Sequence, residues 1–233
     1  MNLSTILLAA GAGKRFKSKV PKPLVSLAGK PVFIYSLQIL SKLIFVRDIV
    51  VVVNSYNASE VAREIKRYRI KKIRCLVKGG RRRQDSVLCG LNALDQSSDF
   101  VLIHDSARPF ISSKMVSVAV KEACKTGAAI LGVPVKATIK EIVTSLPSAV
   151  ACEKIVKKTL DRSKLWEIQT PQVFKKDVIV EAYRKFGKKE VTDDASLVEK
   201  LGKGVAVVQG AYSNIKITTP EDLQIAGAIA KNL

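Results

Sequence analysis

Short apolar runs rich in β-branched residues recur along the chain: "STILLAA" (4–10), "DIVVVV" (48–53), "IRCLV" (73–77), "FVLIHD" (100–105), "AAILGVPV" (128–135) and "GVAVVQG" (204–210). Each is nearly continuous in its hydrophobicity and far shorter than the roughly 20 residues of a membrane span. That pattern predicts strands buried on both faces of a mostly parallel sheet. Helical patterns lie between them. "PVFIYSLQIL" sets Val32, Tyr35, Ile39 and Leu40 on one face, and "SEVAREIKRY" offers Ser59 as a cap. "SSKMVSVAVKEACKTG" opens on serines and closes on Gly127, a natural helix terminator. "TTPEDLQIAGAIAKNL" has Thr219 as cap, Pro220 in the first helical position and two acids in the first turn. Strand and helix in alternation imply right-handed βαβ units. The expected fold is α/β: a Rossmann-like three-layer sandwich around a mostly parallel sheet, one domain over 1–233.

One segment, 136–169, breaks the alternation. Short alternating runs such as "TIKEIV" and "KIVKKTL" flank a Pro-containing connection, which predicts a protruding antiparallel β-arm. Such an arm cannot bury both of its faces alone. It packs either on a second subunit or back on its own domain.

Composition narrows the setting. With 233 residues, 47% of them apolar, the chain buries a sizeable core. Met1 to Ala10 lacks the basic start, long apolar middle and cleavage site of a signal peptide, which points to a cytoplasmic protein with no membrane partner. Cys75, Cys89, Cys124 and Cys152 are widely spaced without a C-x-x-C pair, which argues against a zinc site or a disulfide framework. The formal net charge of +20 attracts nucleic acid, anionic membranes or phosphorylated small molecules alike. Aromatics make up only 6% and are not interleaved with the basic runs, so the stacking platforms of single-stranded nucleic-acid binders are missing and no specific nucleic acid is expected.

The candidate chemistry sits at strand ends. In open α/β folds the first strand-to-helix connection is the usual phosphate site. "LLAAGAGKRFKSKVPKP" (7–23) occupies that place. A P-loop would need G-x-x-x-x-G-K-[ST], but Gly11 and Gly13 are too close and Arg15 stands where the hydroxyl belongs. The dinucleotide fingerprint fails as well, because Phe16 holds the third glycine position. A nucleoside triphosphate loop fits better. It brings about three to four negative charges and gains one more when attacked at phosphorus, which the cations downstream can stabilise. Arg15 can fork onto phosphate oxygens, and Lys22 is a point charge stiffened between Pro21 and Pro23.

Other strand ends add polar groups. "GGRRRQDSVLCGL" (79–91) carries two glycines, three arginines and Ser86 at a helix start. "HDSARPF" (104–110) places Asp105 and Arg108 at a strand tip; Asp105 is either a turn cap or a ligand for magnesium or ribose. His104, the single histidine, reads as structural. In "TDDASLVE" (192–199) Thr192 is a helix cap or faces a ligand. Lys216 falls inside the apolar strand of "SNIKITTPEDL", where it points into an anionic pocket or lies at a solvated edge.

Taken in order, "AAGAGKR" with "PK", "GG..R..SV..GL", "HDSARP", "VPV..TIK", "R..LW..QTPQ.F", "TDDAS" and "NIKIT.PEDL" closely resemble the 2-C-methyl-D-erythritol 4-phosphate cytidylyltransferases over nearly the whole chain. The resemblance implies transfer of a cytidylyl group from CTP to a branched sugar-alcohol phosphate in non-mevalonate isoprenoid synthesis, with Mg²⁺ and a homodimer interlocked by the arm. It also implies roles. Arg15 and Lys22 would stabilise the pentacoordinate α-phosphorus. Ala9, Ala10, Gly11, Ala12, Gly13, Gly80 and Ser86 would hold cytosine and ribose, and Asp105 would lie near the ribose and the Mg²⁺-bound phosphates. Arg108, Thr138, Arg162, Thr170, Thr192 and Lys216 would surround the acceptor, with Arg162 and Lys216 positioning its phosphate and Thr138 and Arg162 lent by the partner's arm. Ala137 and Ser213 stand where the family usually or often has an acid, so contacts to substrate hydroxyls differ there. Ribitol-5-phosphate cytidylyltransferases share these loops and form the nearest alternative. A basic nucleic-acid-binding protein is the alternative from another class.

Overall fold

The structure is a computed structural model and describes residues 1–11, 16, 20–144 and 154–231. Ala12, Gly13, Arg15 and Cys152, singled out in the sequence, lie outside the described residues.

In chain order the elements are β1 (Leu3–Leu8), a ribbon of β2 (Ser26–Leu27) and β3 (Lys30–Pro31), α1 (Val32–Lys42), β4 (Val46–Val53), α2 (Ala58–Arg67), β5 (Ile73–Lys78) and α3 (Arg83–Asn92). There follow β6 (Phe100–Asp105), α4 (Ser113–Thr126), β7 (Ala128–Pro134), β8 (Lys140–Thr144), β9 (Lys154–Thr159), β10 (Trp166–Lys175), α5 (Lys176–Phe186), α6 (Ala195–Glu199), β11 (Ala206–Gln209) and α7 (Pro220–Ala230). Seven strands form one sheet in the order β11-β7-β10-β6-β1-β4-β5. Within it only β10 runs antiparallel, pairing with β6 on one side and β7 on the other.

Alternation along β1 shows why the sheet is covered on both sides. Leu3 and Leu7 pack into one apolar layer with Phe33, Leu37, Val61 and Val116, and hence with α1, α2 and α4. Ile6 packs into the other layer with Val87, Leu91, Ile179 and Leu197, from α3, α5 and α6. Burying one such Leu or Ile is worth about 1.5–3 kcal/mol, so two continuous layers account for the three-layer build. A smaller cluster of Leu27, Val32, Phe110, Ile217 and Ala226 ties α7 to the β2–β3 ribbon.

Several expectations need correction. The edge strands β5 and β11 are only partly buried, because an edge lacks a neighbour and lies past the covering helices. In α1 the fully buried side chains include Phe33, Ile34, Leu37 and Leu40, while Tyr35 and Ile39 are half-buried at the rim. Ser59 lies inside α2; the N-cap is Asn57, whose amide is used elsewhere. Lys216 is in an extended segment that joins no strand, tied to the loop after β6 by the Ile217 N–H donating to Ala107 O at 2.9 Å. The caps of α4 and α7 do form. Ser112 accepts from the Met115 N–H, Gly127 adopts φ 85°, and Thr219 and Asp222 make a reciprocal capping box.

The excursion at 136–169 contains the antiparallel pair β8–β9, with Ile142 opposite Val156 and Val143 opposite Ile155. It ends earlier than the alternation suggested, since Trp166 already belongs to β10 in the central sheet. Among the described residues no helix is long and apolar enough to cross a membrane.

Candidate active site

The carboxyl ends of β1, β4, β5 and β6 converge on a cavity of about 370 Å³. Its lining includes Ala10, Gly11, Lys22, Gly80, Ser86 and Asp105. A Cβ on Gly79 would come within 2.6 Å of Ser86 Oγ and 2.8 Å of Ala10 Cβ, and one on Gly80 within 2.4 Å of Asp85 Cβ. Only glycine lets the two loops approach this closely. Ser86 lies in the first turn of α3, not at its cap; its hydroxyl accepts from the Gly80 N–H at 3.2 Å and donates to Arg82 O. Lys22 opens a 3-10 turn, Lys22–Leu24, closed by the Leu24 N–H on Pro21 O.

Two asparagines after β4, unnoticed in the sequence, fix the start of the glycine loop. The Asn57 amide donates to Ala9 O at 2.9 Å and the Asn54 amide to Ala10 O at 3.2 Å. The "VNSYN" stretch signalled a turn and nothing more. Its partners are more than 40 residues away in the chain.

A second cavity of about 440 Å³ opens between β10, α6 and the Lys216 segment, and is lined among others by Arg108, Thr170, Gln172, Thr192 and Asp193. Thr192 is not the helix cap. It sits two residues before the N-cap, Asp194, and the serine and backbone of the first turn bond to Asp193 instead. Arg108 is buried, donating from Nη1 to Asn214 O at 2.7 Å, and its desolvation lowers its pKa.

The two cavities share Arg83, Asp105 and Lys216. Asp105 Oδ1 accepts from Arg83 Nε at 3.0 Å and Oδ2 from Lys216 Nζ at 2.5 Å. Burial alone would raise the Asp105 carboxyl, but the adjacent guanidinium and ammonium hold it well below the usual carboxylate range. Arg83 also faces Asp194 across 2.9 Å, and Asp194 accepts from the Tyr183 hydroxyl at 2.6 Å. The motif "GG..R..SV..GL" marks Arg83 in the sequence without giving it a role; only the fold shows that it turns onto two acids.

His104 is fully buried behind this cluster. Its Nδ1 lies 3.0 Å from Thr170 Oγ1, which accepts from the Asp105 N–H, and its Nε2 lies 3.1 Å from Arg108 O. With Nε2 donating to the carbonyl and Nδ1 accepting from Thr170, every group is satisfied by a neutral imidazole. Burial pushes its pKa down to about 4. The histidine therefore braces the loop as a neutral imidazole with both nitrogens engaged.

Thr138 and Arg162 are exposed on the arm and line neither cavity; Arg162 Nη1 donates to Lys136 O at 2.9 Å. Among the described residues no group of three or more His, Cys, Asp or Glu side chains is placed to hold a metal. Among the described residues, Asp105 is the one carboxylate lining the cavity of about 370 Å³. That suits Mg²⁺, which keeps several waters and takes most of its protein-independent ligands from substrate phosphates.

Comparison with known proteins places this geometry. Residues 3–232 match the model of the 2-C-methyl-D-erythritol 4-phosphate cytidylyltransferase family. A relative of that name from Halalkalibacterium halodurans is 43% identical, with 98% of this chain and 97% of the relative covered. One from Geobacillus thermodenitrificans is 42% identical at the same coverage. Among solved structures, the 4-diphosphocytidyl-2C-methyl-D-erythritol synthase of Anaerococcus prevotii superposes with a TM-score of 0.85 at 33% identity, covering 98% of this chain and 96% of that one. The Thermus thermophilus 2-C-methyl-D-erythritol 4-phosphate cytidylyltransferase gives 0.76 at 29% identity, covering 99% and 100%. The chain with its two cavities meeting on Asp105 belongs to the 2-C-methyl-D-erythritol 4-phosphate cytidylyltransferase family.

Proposed function

We propose that the protein transfers a cytidylyl group from CTP to 2-C-methyl-D-erythritol 4-phosphate, giving the CDP-linked methylerythritol and pyrophosphate. The observation that carries this reading is the pair of cavities sharing Arg83, Asp105 and Lys216, because a transfer between two bound phosphates needs two sites with one common wall. The glycine-lined cavity takes the nucleotide, and Arg108, Thr170, Thr192 and Lys216 surround the acceptor.

The acceptor phosphate has a second pKa of about 6, so it is ionised at neutral pH and needs no general base. This agrees with the neutral, fully engaged His104. Catalysis then rests on positioning and charge stabilisation. Lys216 orients the acceptor phosphate so that its oxygen attacks the α-phosphorus in line. Lys22, from the nucleotide side, and Arg15 stabilise the charge that develops there, and pyrophosphate departs along the axis of attack. Mg²⁺, when bound beside Asp105, neutralises phosphate charge.

The arm gives a reason for a homodimer. Ile142, Val143, Ile155 and Val156 are each 42–53% exposed on the two faces of the β8–β9 ribbon. A second copy would cover them and bring its Thr138 and Arg162 to the acceptor. We assign the activity to the cytoplasm, where the free thiols of Cys75, Cys89 and Cys124 stay reduced.

Pyrophosphate release measured with each of the four nucleoside triphosphates, against methylerythritol phosphate and ribitol phosphate in turn, tests the reading. Release only with CTP and methylerythritol phosphate is expected. Preference for ribitol phosphate would transfer the assignment to the sister activity, and no release with any pair would overturn it.

A further inference from the structure

Asp105 is held on both oxygens, and its two partners differ in kind. Lys216 is a point charge on a flexible stem, with a side chain 36% exposed, and in the reaction above it turns to the acceptor phosphate. When it does, Asp105 Oδ2 loses its partner. Arg83 remains. Its planar guanidinium meets Asp105 through Nε and Asp194 through Nη2, so the group is gripped on two edges and cannot rotate freely.

The far anchor is rigid. Asp194 is fully buried, is the N-cap residue of α6 and accepts from the Tyr183 hydroxyl of α5. Asp194 lines neither cavity, and its carboxylate meets the shared wall through Arg83. Arg83 is the first residue of α3, and the turn before it is held by the Arg82 N–H and guanidinium, which both donate to the Asp85 carboxylate. The chain Tyr183–Asp194–Arg83–Asp105 thus runs from the packed helical layer to the boundary of the two cavities.

We infer that Arg83 is a positioning residue: anchored by Asp194, it fixes the Asp105 carboxylate at the wall between nucleotide and acceptor while Lys216 moves to substrate. This rests on the function proposed above, but its test does not need the acceptor. Three properties are measured on the full chain for Arg83→Lys and Asp194→Asn: steady-state kinetics, melting temperature, and retention of Mn²⁺ with CTP read by water-proton relaxation with no acceptor present. Lysine keeps the charge of Arg83 but lacks the planar fork that presents Nε to one acid and Nη2 to the other, and asparagine removes the charge of the anchor while nearly keeping its shape.

Groups that orient a metal-binding side chain typically cost about 10–100-fold when removed. Both variants are therefore expected to lose about tenfold or more in kcat, and Mn²⁺ retention with CTP is expected to weaken by a similar factor. A lowered melting temperature with wild-type kcat and wild-type Mn²⁺ retention, measured well below the transition, would show a merely structural pair and overturn the inference. If Asp194→Asn does not fold, Arg83→Lys, at a partly exposed helix start, carries the same test alone. Should the wild-type chain retain Mn²⁺ with CTP yet leave methylerythritol phosphate unreacted, the acceptor assignment fails while the relaxation arm still judges Arg83.

Discussion

Lys216 bonds the Asp105 carboxylate and His104 the Thr170 hydroxyl that accepts from the Asp105 N–H, yet the two do opposite things. Lys216 carries its charge to the meeting point of two cavities, so Lys216→Met should lower kcat by about 10²–10³, the usual cost of removing one preorganised electrostatic contact. Its melting temperature should change little, because the side chain is partly exposed; steady-state assays with calorimetry check both. His104 acts on stability. Its folded pKa of about 4 lies below the ordinary 6.5, so on acidification the unfolded chain takes up a proton that the folded chain refuses. The stability this represents, about 3 kcal/mol, is present above pH 6.5 and is lost as the pH falls from 6.5 to about 4. Chemical denaturation across that window should show the loss, and His104→Asn should flatten the curve. Asp105 and Lys216 were legible in the sequence because a carboxylate at a strand tip and a lysine among apolar residues each contradict their surroundings. The role of Arg83 was not, although its motif marks the position, since its partners lie 22 and 111 residues along the chain.

Among the elements, those with strong local signals formed where the pattern put them. β1, β4, β6 and β7 are buried on both faces, and α4 and α7 carry their caps. β10 gave no such signal. "WEIQTPQVFK" mixes Gln and Thr with apolar residues because Gln169, Thr170 and Gln172 line the larger cavity, and a strand that serves a site cannot be uniformly apolar. The glycine turn before α3 predicts its own test. Gly80→Ala would drive a Cβ to within 2.4 Å of Asp85, displacing the turn that faces the nucleotide. The KM for CTP should rise about tenfold, while the KM for the acceptor should stay nearly constant, as initial rates with each substrate varied will show. Thr219→Ala, which removes half of the capping box of α7, should cost about 1 kcal/mol with unchanged kinetics, measured by urea unfolding.

At the scale of the whole molecule, the arm and the surplus charge remain exposed. Two-stranded ribbons are marginal in water without a covered face, and this one exposes apolar side chains on both. In the homodimer proposed above, Val156→Asp should shift the sedimentation profile from dimer to monomer and remove activity together with it, because Thr138 and Arg162 line neither cavity of their own chain. The surplus of cations has a different consequence. Arg83 and Lys216 against Asp105 and Asp194 are two positive and two negative charges paired with one another, so this cluster is electrically balanced inside a chain of net +20. Long-range attraction of anionic substrates then falls to the cations around that cluster, which solvent ions screen within about 10 Å at 0.1 M salt. The centre acts only at contact, when a phosphate replaces an internal partner. Raising the salt should therefore increase the KM of both substrates severalfold and leave kcat within about twofold: distance and chemistry answer to different parts of the same charge distribution.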